Sequence, residues 1–186
     1  MKPLKIIVIA GSNRAESINR RLARALIRLA PAEGFEMELL PIDALPMYNP
    51  DLEGARPPEV LQFCAAVAAA DGVLLVTPEH NRSIPAVLKN AIDWGSKPVQ
   101  QNVWKGKPVA ITGASPGPLG AAIGQLHLRQ IMGILGALVM GGETYISYTP
   151  GLVDEAYEVV TDSTRQFLTA FLENFLAVTA RLAATG

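Results

Sequence analysis

Three short polar segments of the chain, each directly after an apolar run, carry the side chains that could bind a ligand. The first begins at Gly11 and supplies two hydroxyls, one guanidinium and one amide, from Ser12, Arg14, Ser17 and Asn19. Such donors in front of a helix N-terminus have the chemistry of a phosphate site. The alternative is an ordinary polar turn in which Ser17 only caps the following helix. The segment contains neither the G-x-x-x-x-G-K-[ST] motif nor the glycines of the dinucleotide fingerprint.

The last of these segments reads G-A-S-P-G over residues 113–117 and matches the G-x-S-x-G motif of serine hydrolases. An esterase built on Ser115 would need an acid and then a histidine later in the chain. His127 lies on the next predicted helix, and the acids Asp154 and Asp162 follow it in the wrong order. We therefore prefer a glycine-rich turn that lets a flat ligand approach the backbone, and keep the esterase as an alternative.

Alternating apolar strands and amphipathic helices must position these segments. The pattern predicts strands over residues 4–10, 35–40, 73–77, 108–112 and 137–140. It predicts helices over residues 17–29, 57–70, 84–94, 119–135 and 154–184, with a proline-rich loop over 41–58.

This alternation predicts one α/β domain over residues 1–186, a doubly wound parallel sheet with helices on both faces. Five strands favour the flavodoxin-like order 2-1-3-4-5 over the larger dinucleotide-binding fold. Ligands of such sheets bind at the carboxyl ends of the strands, near the switch point between the first and third strands. The polar segments after the first, third and fourth strands are therefore expected to meet at that edge.

The composition excludes several other classes of protein. The 186 residues are 49% hydrophobic and 18% charged, which excludes a disordered chain. A net charge of -1 gives no bulk attraction to nucleic acid or to an anionic membrane, and no apolar stretch predicts membrane insertion. One cysteine and two histidines are too few for an ordinary zinc site. We expect a cytoplasmic protein without a metal.

The segment after the third strand completes a specific pattern. Residues 78–94 read P-E-H-N-R-S-I-P-A-V-L-K-N-A-I-D-W, between the 11–19 and 113–117 segments described above. Together these three segments resemble the NADPH-dependent FMN reductase family, whose members include quinone-, chromate- and azo-dye-reducing flavoproteins. The resemblance extends over about residues 4 to 145.

The resemblance implies an FMN cofactor, NADPH or NADH as co-substrate, and a set of cofactor-binding residues. The phosphate group would be held by Ser12, Arg14, Ser17, Ile18 and Asn19. The flavin ring would lie along Pro78, Glu79, His80, Asn81, Arg82 and Ser83, with Ser115 in the turn on its other side. Many relatives carry aromatic residues where this chain has His80 and Arg82, which leaves the choice of acceptor open.

The resemblance also implies the reaction and the assembly. The expected enzyme transfers a hydride from NAD(P)H, by way of FMN, to a small-molecule acceptor of the quinone, azo or metal-oxyanion type, with ping-pong kinetics. The alternative that is not an enzyme is an FMN-binding electron carrier. We also expect a homodimer or homotetramer, since the last predicted helix offers a large apolar surface from Phe167, Leu168, Phe171, Leu172, Phe175 and Leu176.

Overall fold

The computed structural model describes residues 2–31 and 33–184 as strands and helices arranged around one sheet. The strands are β1 (Leu4–Ala10), β2 (Phe35–Leu39), β3 (Gly72–Val76), β4 (Pro108–Ser115), β5 (Leu138–Val139) and β6 (Tyr145–Ser147). The helices are α1 (Ile18–Leu29), α2 (Pro58–Ala69), α3 (Ala86–Gly95), α4 (Ala122–Ile134) and α5 (Asp162–Ala183). Two short 3-10 helices span Pro50–Ala55 and Val99–Gln101.

The sheet is parallel, and its order β2-β1-β3-β4-β5 confirms the predicted flavodoxin-like arrangement. Strands β1 and β3 read as apolar runs, interrupted only by Lys5 near the start of β1, because both of their faces are covered. In the register, Ala10 lies opposite Val76, and Val76 lies opposite Thr112. The segments that follow these three strands therefore leave the sheet at one edge.

Two hydrophobic layers sandwich the sheet. Ile6 and Val8 of β1 point into a cluster with apolar residues of α1 and α5. Ile7 and Ile9, on the opposite face of the same strand, point into a cluster with residues of α2, α3 and α4. This alternation along the strand fixes which helices cover each face.

The fifth strand differs from the prediction of a single strand over residues 137–140. β5 pairs only with the start of β4, and the chain pairs with β4 again as β6, opposite Gly113–Ser115. Gly141 and Gly142 lie between the two pieces, and Gly142 has a φ of +84°. Glycine adopts this left-handed conformation without strain, so the chain can leave the sheet here and return. β6 therefore flanks the carboxyl end of β4.

The final helix begins at Asp162, so the prediction of a helix from residue 154 is wrong. Residues 154–161 form a compact loop in which the Asp154 carboxylate accepts a hydrogen bond from the main-chain N–H of Glu158 at 2.8 Å. Tyr157 in this loop has a φ of +62°. Such a conformation interrupts a right-handed helix, which explains the late start of α5.

The apolar face of α5 is used within the chain itself. Phe167 is 47% exposed, but the other five expected contact residues are buried in the core: Leu168, Phe171, Leu172, Phe175 and Leu176. The helix therefore covers its own side of the sheet and does not supply the surplus apolar surface expected for subunit contacts. No helix in the described part of the chain, α5 included, is long and apolar enough to cross a membrane.

The remaining differences concern element boundaries. The 41–58 segment, predicted as a loop, contains the 3-10 helix Pro50–Ala55. The side chain of Asn49 caps this helix, since its Oδ1 accepts a hydrogen bond from the Asp51 N–H at 3.0 Å. β4 continues to Ser115, three residues beyond its predicted end, because β6 pairs with its last residues. α4 correspondingly begins at Ala122 rather than at residue 119.

Candidate active site

A cavity of about 460 Å³ opens where β1, β3 and β4 end, and all three polar segments line it. This volume lies within the range of about 300–1,000 Å³ that is usual for small-molecule sites. Nine of the predicted site residues line the cavity: Ser12, Arg14, Ser17, Ile18, Asn19, Pro78, Glu79, His80 and Ser115. Asn81, Arg82 and Ser83 are not among its lining residues.

The first loop is held close to the sheet. The main-chain N–H of Gly11 donates to the Val76 carbonyl at 2.9 Å, which continues the β1–β3 pairing for one more residue. A Cβ at position 11 would lie 2.9 Å from Cδ2 of Leu88, so only glycine fits without a shift of that side chain. The Ser12 hydroxyl then accepts a hydrogen bond from the Arg14 N–H at 3.3 Å. The loop thus turns back over the cavity, with Arg14 exposed at its rim.

Ser17 lies where this loop becomes α1. It adopts the extended conformation of an N-cap, and its Oγ accepts from the Arg20 N–H at 3.3 Å. The hydroxyl proton remains available to donate to a ligand, and the start of the helix places its positive end at the cavity. Because Ser17 and Ile18 line the cavity beside Arg14, this end suits an anionic group.

Asn19 also lines the cavity, yet its side chain is 1% exposed and contacts the backbone of β4. Its Nδ2 donates to the Ala114 carbonyl at 2.8 Å, and its Oδ1 accepts from the Ala114 N–H at 2.9 Å. The amide therefore links the first turn of α1 to the end of β4.

The second loop contains a tight turn. His80 and Ser83 exchange two main-chain hydrogen bonds, of 2.9 and 3.0 Å. The two residues between them, Asn81 and Arg82, have φ angles of +51° and +62°. Left-handed geometry at both central residues defines the type I′ turn of β-hairpins. The turn directs Asn81 and Arg82 to the surface, where both are exposed.

The end of β4 approaches β3 closely. A Cβ at Gly113 would lie 1.9 Å from the Thr77 carbonyl oxygen, so any side chain here would separate the strands. Gly113, Ala114 and Ser115 are strand residues, which corrects the expectation of a turn over 113–117. The turn follows at residues 116–121, and its Pro116 lines the cavity.

Ser115 is held by the backbone of that turn. Its Oγ accepts from the Ala121 N–H at 3.2 Å and donates to the Gly117 carbonyl at 3.4 Å. Nδ1 of His127 instead lies 3.1 Å from Oγ of Ser83. This pairing of His127 with a different serine gives no support to the esterase alternative.

Four apolar lining residues lie outside the predicted set of site residues: Pro85, Val87, Ala114 and Pro116. Pro85 and Val87 line the cavity at the start of α3. The sequence could have indicated Pro85 and Val87 as lining residues, because they lie where the helix after β3 begins. In such a sheet, that position is at the edge where ligands bind. The cavity therefore combines an anion-binding end with apolar surface suited to a flat ring.

The side chains with clearly displaced pKa values lie outside this cavity. A hydrogen bond to Glu53 raises the pKa of Tyr48 to about 12. Burial raises the pKa of the Cys64 thiol and of Tyr145, and burial lowers the pKa of Lys107. None of these four residues is a lining residue of the cavity.

Comparisons with known proteins agree with this geometry. Residues 4–151 match the family model described as NADPH-dependent FMN reductase. The chain is 43% identical over 175 residues to a 2-hydroxy-1,4-benzoquinone reductase of Burkholderia sp, covering 94% of this chain and 95% of that protein. It is 40% identical over 177 residues to a quinone reductase of Escherichia coli strain K12, covering 92% of this chain and 93% of that protein.

Solved structures give the same result at the level of the fold. The flavoenzyme NAD(P)H:(acceptor) oxidoreductase FerB from Paracoccus denitrificans superposes with a TM-score of 0.90 and 39% identity, covering 96% of this chain and 98% of that one. A flavodoxin from Pseudomonas aeruginosa superposes with a TM-score of 0.58 at 20% identity, over 91% of this chain and 99% of that one, which shows the shared fold. The family match and these relatives together establish that this chain is a member of the NADPH-dependent FMN reductase family, enzymes that use FMN and NAD(P)H.

Proposed function

We propose that the protein is a quinone reductase in which NAD(P)H and the quinone use the cavity at the ends of β1, β3 and β4. The observation that carries this proposal is one cavity that residues of all three loops line, and its lining combines anion-binding donors with apolar side chains. The named relatives act on quinones, as their names state. FMN, when bound, supplies the redox centre that accepts a hydride and passes electrons to the acceptor.

The donor set of the cavity fits FMN. Arg14, Ser12 and Ser17 offer a guanidinium and two hydroxyls beside the N-terminus of α1, which suits a phosphate dianion. We propose that these groups, with the main chain at Ile18, hold the phosphate. Asn19 acts by fixing the helix against β4, since its amide is already paired with Ala114.

The other side of the cavity fits the ring. We propose that the main chain of residues 78–80 lies along the polar edge of the isoalloxazine and that Ser115 approaches it from the end of β4. Pro85 and Val87 offer apolar contact and exclude water on the remaining side. Asn81, Arg82 and Ser83 support this loop from outside the cavity, while His80 lies exposed at its rim.

Within this arrangement the protein orients the reactants and excludes water. With both rings held in contact, hydride transfer would need no proton donor from the chain, whose residues would only bind and orient the two rings. We propose that NAD(P)H and the acceptor enter the same cavity in turn, which gives ping-pong kinetics. The open rim at His80 suits acceptors of different shape, and we extend the proposal to azo compounds and metal oxyanions.

We also propose that the protein forms a cytoplasmic homodimer or homotetramer. Exposed apolar side chains on α4 and at β5 support subunit contact there: Ile134 is 85% exposed, Leu138 48% and Leu126 44%. Light scattering over micromolar protein concentrations tests the assembly, and a monomer mass throughout would contradict it.

The central experiment is an absorption spectrum of the purified, FMN-loaded protein before and after anaerobic addition of NADPH, followed by a quinone. We expect NADPH to bleach the flavin bands and the quinone to restore them. A carrier would bind FMN without being bleached by NADPH. An esterase would be colourless and would be labelled at Ser115 by a fluorophosphonate probe.

A further inference from the structure

We propose that Glu79 is a positioning residue whose carboxylate caps helix α4 and thereby fixes the loop over residues 78–83, of which Pro78, Glu79 and His80 line the cavity. The inference rests on the proposed function, because it assumes that residues 78–80 lie beside the flavin ring. It assigns Glu79 a role through α4 rather than through contact with the cofactor.

Helix α4 has no capping side chain of its own. Ala121 occupies the N-cap position with a φ of +64°, and its methyl group cannot accept a hydrogen bond. Oε2 of Glu79 instead accepts from the main-chain N–H groups of Ile123 and Gly124, at 2.9 and 3.2 Å. These are the second and third residues of the helix, whose N–H groups an N-cap side chain ordinarily satisfies. A carboxylate at this end also interacts favourably with the helix dipole.

The same carboxylate reaches across its own turn. Oε1 of Glu79 lies 3.2 Å from a guanidinium nitrogen of Arg82, while the Glu79 side chain is only 11% exposed. Arg82 has a φ of +62°, a conformation that side-chain-bearing residues adopt at a cost. The turn therefore contains local strain, and a contact with another element, such as α4, stabilises it.

Helix α4 supplies two further contacts to this turn. A Cβ at Gly124 would lie 3.1 Å from the Ser83 carbonyl oxygen and 3.4 Å from Cα of Glu79, so the helix backbone lies directly against the loop. Nδ1 of His127, one turn further along, lies 3.1 Å from Oγ of Ser83. The turn is thus held at both ends by α4, and Glu79 is also a lining residue of the cavity.

The test uses the apoprotein and two flavins, FMN and riboflavin, followed by flavin fluorescence. Riboflavin lacks the phosphate, so its affinity reports the ring end of the site alone. We expect Glu79→Ala to weaken both flavins by the same factor, about tenfold, as the loss of a capping interaction predicts. Glu79→Gln keeps an oxygen that can accept from Ile123 and Gly124, and we expect it to recover most of that loss. Asp93→Ala is the matched control, since it removes the carboxylate of the Lys89–Asp93 ion pair outside the cavity lining.

If Glu79 only stabilised the fold, the two variants would behave differently. The melting temperature of the Glu79→Ala apoprotein would then fall, while riboflavin affinity of the folded protein stayed within twofold of the wild type. That result would overturn the inference, as would a Glu79→Gln variant as weak as Glu79→Ala. Failure of the proposed function is distinct from both, because the FMN-loaded wild-type protein would then not be bleached by NADPH, whatever the flavin affinities of the Glu79 variants.

Discussion

The side-chain amide of Asn19 pairs with both main-chain polar groups of Ala114, at 2.8 and 2.9 Å. The two residues are 95 positions apart in the chain, at the first turn of α1 and near the end of β4. Both are buried, so water cannot replace either hydrogen bond. The contact joins two walls of the cavity, and its loss should affect both stability and the ligand site.

We predict that Asn19→Ala lowers the free energy of unfolding by about 2–4 kcal/mol, because it leaves a buried N–H and a buried carbonyl without partners. Urea unfolding of the apoprotein measures the change. Asn13→Ala is the control, since Asn13 is exposed in the same loop, and it should change stability by less than about 0.5 kcal/mol. Equal stability of the two variants would contradict the structural role of Asn19.

The phosphate assignment predicts a difference between two flavins. Arg14→Ala should weaken FMN binding by about 1.5–3 kcal/mol, the value of a charge-assisted contact, and weaken riboflavin much less. Fluorescence titration of the apoprotein gives both affinities. Arg28→Ala removes the same charge from an exposed position paired with Glu158, outside the cavity lining, and should change neither. An equal loss for both flavins in Arg14→Ala would mean that Arg14 does not contact the phosphate.

His80 should affect the choice of acceptor more than the rate of hydride transfer. It is exposed at the rim of the cavity, and transfer between two rings needs no protein proton donor. We predict that His80→Ala slows bleaching of bound flavin by NADPH less than about tenfold, a barrier change of about 1.4 kcal/mol. The rate should also vary little between about pH 6 and 8. A loss of several powers of ten in stopped-flow traces, with FMN still bound, would instead make His80 an acid–base catalyst.

Tyr48 gives a prediction about alkaline pH. Its hydroxyl donates to Oε1 of Glu53 at 2.5 Å, and this bond raises its pKa to about 12. In an unfolded chain, the pKa of a tyrosine side chain is about 10. The folded state therefore keeps a proton that the unfolded state loses between these values, so this stabilisation is complete below about pH 10 and is lost as pH rises towards about 12.

The measurement is a spectrophotometric titration of tyrosinate in the folded protein. Tyr48→Phe should remove the step near pH 12, and Glu53→Gln should move that step to lower pH. A titration unchanged by Glu53→Gln would show that the carboxylate is not the cause.

Much of the fold follows from local patterns in the sequence. The apolar runs that form β1 and β3 predict strands buried on both faces, and the helical periodicity between them predicts a parallel sheet. The polar segments that follow β1, β3 and β4 then have to meet, because parallel strands in register end at one edge. The existence and place of the cavity were therefore predictable, as was Ser17 as a helix cap.

The partners of individual side chains were decided only by the tertiary structure. Asn19 has the chemistry of a phosphate ligand, yet its hydrogen bonds go to Ala114, and Glu79 caps a helix that begins 43 residues later. The split of the last strand into β5 and β6 likewise depends on which part of β4 is free to pair. Sequence periodicity specifies which face of an element is buried, because that depends on neighbouring residues alone. The choice among distant hydrogen-bonding partners depends on how the elements pack, and only the assembled fold brings those partners within bonding distance.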